Sequence, residues 1–173
     1  MSMAADIQAI KEWIAKNVQS DAKWPEPLSK SDIEFAEVEL GNNFPNGLRG
    51  FYLINNGFID WLSIYRTWEI LDIDSMREIY FENLNLFGEG SLLENENKWQ
   101  RNWLPFASDG AGDYIFVESD SGKVYSYSHV DGEVRHISNS LDSFINMAST
   151  EFQEGNYSIK SNGQIKYDGD TEF

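Results

Sequence analysis

The sequence predicts an α+β chain in which helices pack around a mainly antiparallel sheet. Three observations carry this expectation. Apolar residues recur at helical spacing between Ile7 and Leu40. Four short apolar runs between Leu104 and Ile137 are separated by acidic glycine turns. A serine-capped amphipathic segment then follows, Ser140 to Ala148. Helices, then strands, then a closing helix is an α+β order; an alternating βαβ chain would interleave them. The 173 residues are enough for one domain whose core needs no covalent staples.

The first predicted helix covers Asp6 to Val18, with Ile7, Ile10 and Ile14 on one face and Trp13 beside them. Pro25 and Pro27 make Asp21 to Leu28 an extended connection. Ser31-Asp32-Ile33-Glu34 has capping-box form, and Ile33, Ala36 and Leu40 follow at helical spacing, with Gly41 placed to end the helix in a left-handed conformation. Phe51-Tyr52-Leu53-Ile54 is ambiguous. Its β-formers suggest a strand, yet Leu48, Phe51, Tyr52 and Asn55 also share a helical face. Asn56-Gly57 closes the run in either case.

Phe58 to Tyr65 reads as a strand containing Trp61, and Asp72 to Asn83 as a helix capped by Asp72 or Asp74. Ile73, Met76, Ile79 and Tyr80 form that helix's apolar face. Leu86 to Arg101 reads as a solvated loop carrying Glu89, Glu94 and Glu96. An antiparallel meander follows: Leu104 to Ala107, Tyr114 to Glu118, Val124 to Ser128 and Val134 to Ile137. Its separators are Asp109-Gly110-Ala111-Gly112-Asp113, Asp120-Ser121-Gly122 and Asp131-Gly132. The closing helix buries Leu141, Phe144, Ile145 and Ala148, and Asn162-Gly163 marks a C-terminal hairpin between Tyr157 to Lys160 and Gln164 to Tyr167.

Composition narrows the function. Asp plus Glu outnumber Lys plus Arg by 29 to 13, a formal net charge of -16. A field of that sign repels nucleic acid and anionic membranes and attracts basic partners. The same acidity also simply keeps a protein soluble. The absence of cysteine excludes disulfides, thiolate metal sites and cysteine nucleophiles. Met1 to Ile10 lacks a basic patch followed by an apolar stretch, and no apolar run approaches the roughly 20 residues that span a bilayer. A soluble cytoplasmic protein is therefore expected.

Catalytic motifs are missing. There is no dinucleotide fingerprint, P-loop or nucleophile elbow, and no cofactor is expected. Gly110-Ala111-Gly112-Asp113 lies between strands, so it is a turn and no nucleotide loop. Asp109 and Asp113 could be paired acids or magnesium ligands, but aspartates beside glycine commonly accept hydrogen bonds from turn amides. His129 and His136 flank the Asp131-Gly132 turn without helical metal-site spacing, and read as surface histidines. Asp72-Ile73-Asp74 lacks the glycine and glutamate of a calcium loop, and helix capping explains it better. Trp13, Trp61 and Trp103 read as core. Trp68 and Trp99, surrounded by polar residues, are the candidates for surface anchors.

Several segments, in this order, resemble the SUKH superfamily of fungal cell-wall assembly regulators and bacterial immunity proteins. They are Ser31-x-x-Glu34 through Leu40-Gly41 with Phe44-Pro45, and Phe51 to Gly57. Leu104-Pro105-Phe106 before Asp109-Gly110-x-Gly112-Asp113-Tyr114 comes next, followed by Gly122-Lys123-Val124-Tyr125 and Ser140 to Phe144. The resemblance covers roughly Ser29 to Ala148, flanked by an N-terminal helix and linker (1–28) and a C-terminal extension (151–173). It implies a single SUKH-like α+β domain, and a helix over Gly47 to Asn55. Ala111 stands where relatives commonly have glycine. The resemblance brings no catalytic residues. It implies a protein that binds and neutralises a cognate toxin domain, often a nuclease.

The expected partner is thus a basic toxin domain, met by Glu89, Glu94 and Glu96 in the loop, Asp109 and Asp113 at the corner, and Trp68 or Trp99 as anchors. No nucleic-acid or membrane partner is expected, and the chain should be a monomer or simple dimer. Two other readings compete: a regulatory scaffold that binds a host protein, as implied by the fungal relatives, and a metal-dependent hydrolase using Asp109, Asp113 and a histidine.

Overall fold

The computed structural model describes residues 2–18, 23–58, 63–93 and 95–169. Helix α1 (Met3–Asn17) starts three residues before the expected Asp6, because the Ser2 hydroxyl accepts from Ala5 N and caps it. Ile7, Ile10 and Ile14 are buried as their spacing predicts, and Trp13 lies half-buried against Phe152, centroids 5.0 Å apart. Helix α2 (Lys30–Leu40) does have a capping box, but one built two residues earlier than expected. Asp32 N donates to the Ser29 hydroxyl (3.2 Å), and Ser29 N donates back to the Asp32 carboxylate (2.9 Å). Asp32 therefore does what the sequence assigned to Glu34, and the bonds from Ser29 hold its carboxyl below the usual range. Gly41 ends the helix at φ 65°.

Helix α3 (Asn46–Ile54) resolves the ambiguous run as helix. Leu48, Phe51 and Tyr52 are buried on one face, so tertiary packing overrides their β propensity. Strands β1 (Ser63–Tyr65) and β2 (Trp68–Ile70) form a short ribbon. Of the strand expected over Phe58 to Tyr65, the last three residues form β1, and residues 59–62 lie outside the described residues. Phe58 itself is irregular and packs on Phe51 and Trp24. Trp61 falls outside the described residues. Helix α4 (Ile73–Phe87) is capped by Asp72, whose carboxylate accepts from Ser75 N at 2.7 Å. It outruns the expected end at Asn83 because Leu84 and Phe87 have an aromatic cluster to pack against.

Strands β3 (Trp103–Ser108), β4 (Tyr114–Glu118), β5 (Val124–Tyr127) and β6 (Val134–Ser138) complete a six-stranded antiparallel sheet in sequential order. Pro105 cannot donate to the ladder, and the β3–β4 register shifts between Pro105 and Ala107 to accommodate it. Helix α5 (Leu141–Gln153) is capped by Ser140, and the hairpin β7 (Tyr157–Ile159) and β8 (Ile165–Tyr167) pairs across Asn162-Gly163.

Side chains alternate between the faces of the sheet. Leu104, Phe106, Ile115, Val117 and Val124 join the core under the helices. Phe116 and Tyr127 point the other way and form a second cluster with Phe87 and Trp99, edged by Trp103, Tyr114 and Tyr125. That outer cluster is covered by the end of α4 and by the loop of residues 88–102.

Candidate functional site

The two aspartates of the Gly-rich corner have different partners. The Asp109 carboxylate accepts from Ala111 N (2.8 Å) and Asp113 N (3.0 Å), holding its own turn. The Asp113 carboxylate reaches across to the β5–β6 turn instead. It accepts from His129 N (3.0 Å) and pairs with His129 Nδ1 at 2.6 Å. Gly112, at φ 111°, makes this possible. A Cβ there would sit 3.1 Å from the His129 ring. Asp109 thus caps its own turn as expected, whereas Asp113 holds the neighbouring β5–β6 turn.

The 88–102 loop is laid onto the same turn. Glu96 N donates to Asp131 O at 2.6 Å, and Asn97 Nδ2 to Gly132 O at 2.9 Å. Asn95 Nδ2 donates to the Tyr127 hydroxyl (2.9 Å) and to His129 O (3.2 Å). Gly132 is buried here at φ 78°, and a Cβ would lie 2.7 Å from Asn95 Cβ and 2.8 Å from Asn97 O. Three segments far apart in sequence thus bring Glu96, Asp109, Asp113, Asp131 and Glu133 to one end of the sheet.

That end is strongly negative. Arg135 is tied to Glu133 at 2.7 Å, and this bond raises its pKa. Burial, with the carboxylates of Glu82, Asp109 and Asp113, pushes the Tyr114 hydroxyl up. Burial likewise raises Tyr127, aided by Asp131 and opposed by the Asn95 bond. Bonds from the Glu133 backbone and the Ser128 side chain hold the Asp131 carboxyl below the usual range, so it stays ionised near neutral pH.

Not every candidate joins this end. Glu89 lies beside Gln100–Asn102, the residues leading into β3, and lines a separate cleft of about 770 Å³ with Phe81, Leu84, Trp99 and Arg101. Glu94 lies outside the described residues. Trp68 and Trp99, expected as surface anchors, are instead buried at 7% and 1% exposure. Trp68 sits on β2 beside Ile70, in an inward-outward-inward alternation too short to read as a strand, and though buried in the core it also lines a cavity of about 250 Å³ with Asp113, Glu133 and Arg135 at the acidic end. Trp99 is the hub of the outer cluster, meeting Tyr127 at 5.2 Å and Phe116 at 5.5 Å. Its Nε1 finds no acceptor among the described residues. Trp103 stacks on Phe116 at 4.3 Å.

The hydrolase reading does not gain a ligand set. His136 lies on β6 against Tyr125, away from the Asp113–His129 pair. Among the described residues no three His, Asp or Glu side chains converge as metal ligands. Nor, among them, is any helix long and apolar enough to cross a membrane. Glu82 and Phe81, which the sequence reading passed over, frame the site from α4. The available signal was a helix whose solvent side mixes an aromatic with acids.

The model of the SMI1 / KNR4 family (SUKH-1) matches residues 27–147, from the lead into α2 to the middle of α5. No curated protein matches the chain at a significant level.

Proposed function

The chain belongs to the SMI1/KNR4 (SUKH-1) family, and from that premise we propose that it is a non-catalytic immunity protein. It binds and neutralises a cognate toxin domain with a basic surface, a nuclease being the class that best fits its charge. The observation that carries this reading, beside the family, is the acidic end of the sheet on a chain of net charge -16. Carboxylates held by turn amides and a docked loop are pre-placed where a nuclease expects phosphates. Their field steers a basic domain toward the site and accelerates association by roughly 10–10³-fold. Such a partner acts in the cytoplasm, where this reading places the chain.

Co-expression is the direct test. The chain should rescue growth from one particular toxin domain, sought first among the genes beside its own, and fail to protect against unrelated toxins; rescue from none of them would overturn the reading. With the purified proteins, association should slow about tenfold between low and physiological salt, as expected for steering over a Debye length of about 8–10 Å. Charge reversal at Glu96, Asp131 and Glu133 together should slow it further and leave the folded state intact. Binding indifferent to both salt and charge reversal would remove the electrostatic part of the reading.

A further inference from the structure

Large apolar side chains are not exposed at random on this protein. Seven are exposed among the described residues, and only Val130 lies away from α2, α4 and the loop that follows α4. Phe35 and Val38 stand on α2, and Phe81 on α4 beside it. The two helices are linked across this side: the Arg77 guanidinium lies 5.5 Å from the Phe35 ring and pairs with Glu39. Arg77 precedes Phe81 by one turn of α4.

The ridge shares Phe81 with the cleft of about 770 Å³ that is also lined by Leu84, Glu89, Arg101 and the buried Trp99. Asn42, just past α2, locks the junction by donating to the Tyr80 hydroxyl (2.9 Å) and to Arg101 O (2.8 Å). Leu92, 99% exposed, stands two residues beyond Gly90 at the cleft's edge. Exposed apolar groups that converge on a preformed cleft and are rimmed by polar residues mark protein-binding surfaces, where one inserted side chain carries much of the affinity.

Charge selects the occupant. Glu34 and Glu39 on α2, Asp74, Glu78 and Glu82 on α4, and Glu89 at the cleft ring the apolar residues. Arg77 is already engaged by Glu39 and Asp74. A second copy of the chain would bring another net charge of -16 and set acid against acid. We propose that the α2–α4 ridge and the cleft beside Phe81 form the docking surface for a basic protein partner, which inserts one large apolar side chain flanked by lysine or arginine. This rests on the immunity reading, since the partner is that reading's toxin domain. The acidic end of the sheet then steers, and the ridge and cleft anchor.

The test uses the full chain and the catalytically inactivated form of the toxin domain that it neutralises in co-expression, with Kd measured by calorimetry. Phe81→Asp and, separately, Leu92→Asp change exposed positions and should keep the wild-type circular dichroism spectrum. Phe81→Asp should weaken binding by about 30-fold or more, and Leu92→Asp by about tenfold. Ser161→Asp, an exposed position in the turn of the C-terminal hairpin, away from both the ridge and the acidic end, should change it by less than about threefold. If the wild-type chain binds and both ridge variants bind equally well, the docking surface is overturned while the immunity reading stands. If the wild-type chain does not bind, the immunity reading fails and this inference falls with it. A dimer of the wild-type chain that Phe81→Asp converts to monomer would also overturn it, by naming a second copy as the occupant.

Discussion

On one face of the sheet, Leu104, Phe106, Ile115 and Val117 lie under helices drawn from the whole length of the chain. On the other, Phe116 and Tyr127 lie under the end of α4 and a single irregular loop. The first cover is built from repeating apolar positions, many side chains deep. The second depends on one tryptophan and a few bonds from Asn95, Glu96 and Asn97 to a turn. Both surfaces assigned to partner binding, the acidic end and the cleft, belong to the second face. Binding elements are commonly carried by loops on a rigid scaffold, and such loops open locally at lower free energy than the core.

Three substitutions test how far the two faces differ. Phe106→Ala should have the largest effect. Phe106 is fully buried between Phe51 (5.0 Å) and Phe144 (6.1 Å), so its loss should destabilise the protein by about 4 kcal/mol in urea unfolding. It should also raise hydrogen exchange throughout the helices and sheet. Trp99→Ala should cost less, about 3 kcal/mol, because its indole N–H has no acceptor among the described residues and the loop can relax. Its exchange signature should be confined to residues 88–102 and the β5–β6 turn. A global rise equal to that of Phe106→Ala would erase the distinction between the faces.

Gly132→Ala should be the mildest, about 2 kcal/mol, from a positive φ and the collision of its methyl with Asn95 and Asn97. Its use lies in what it separates. Lifting the loop from the turn should move Glu96 away from Asp131 and slow toxin association, with little change in the exchange of α1 or α5. An unaltered association rate would show that the acidic end does not need the loop in place.

Much of the inner face was legible before any coordinates. Ile7, Ile10 and Ile14, then Ile33, Ala36 and Leu40, repeat at helical period and are all buried. The acidic glycine turns marked each strand of the meander to within about two residues. The errors were local ones of competing signals. Ser29-x-x-Asp32 and Ser31-x-x-Glu34 have the same capping-box spacing, and the helix starts at the first of them. The candidate site was less legible. Polar neighbours made Trp68 and Trp99 look exposed, yet a polar neighbour in sequence says nothing about which side of a three-residue strand or a folded loop a ring takes.

Caps, turns and amphipathic faces depend on residues within about four positions of each other, so the chain alone was enough to specify them. The negative field, too, follows from composition without regard to fold. The arrangement of that charge needed the third dimension. Asp113 meets His129 sixteen residues away, and Asn97 meets Gly132 thirty-five away. Contacts at such range carry no local signature. They exist because the meander returns its turns to one end and the 88–102 loop is long enough to lie across them. The burial of Trp99 has the same origin, and it turned an expected surface anchor into the hub of the outer aromatic cluster.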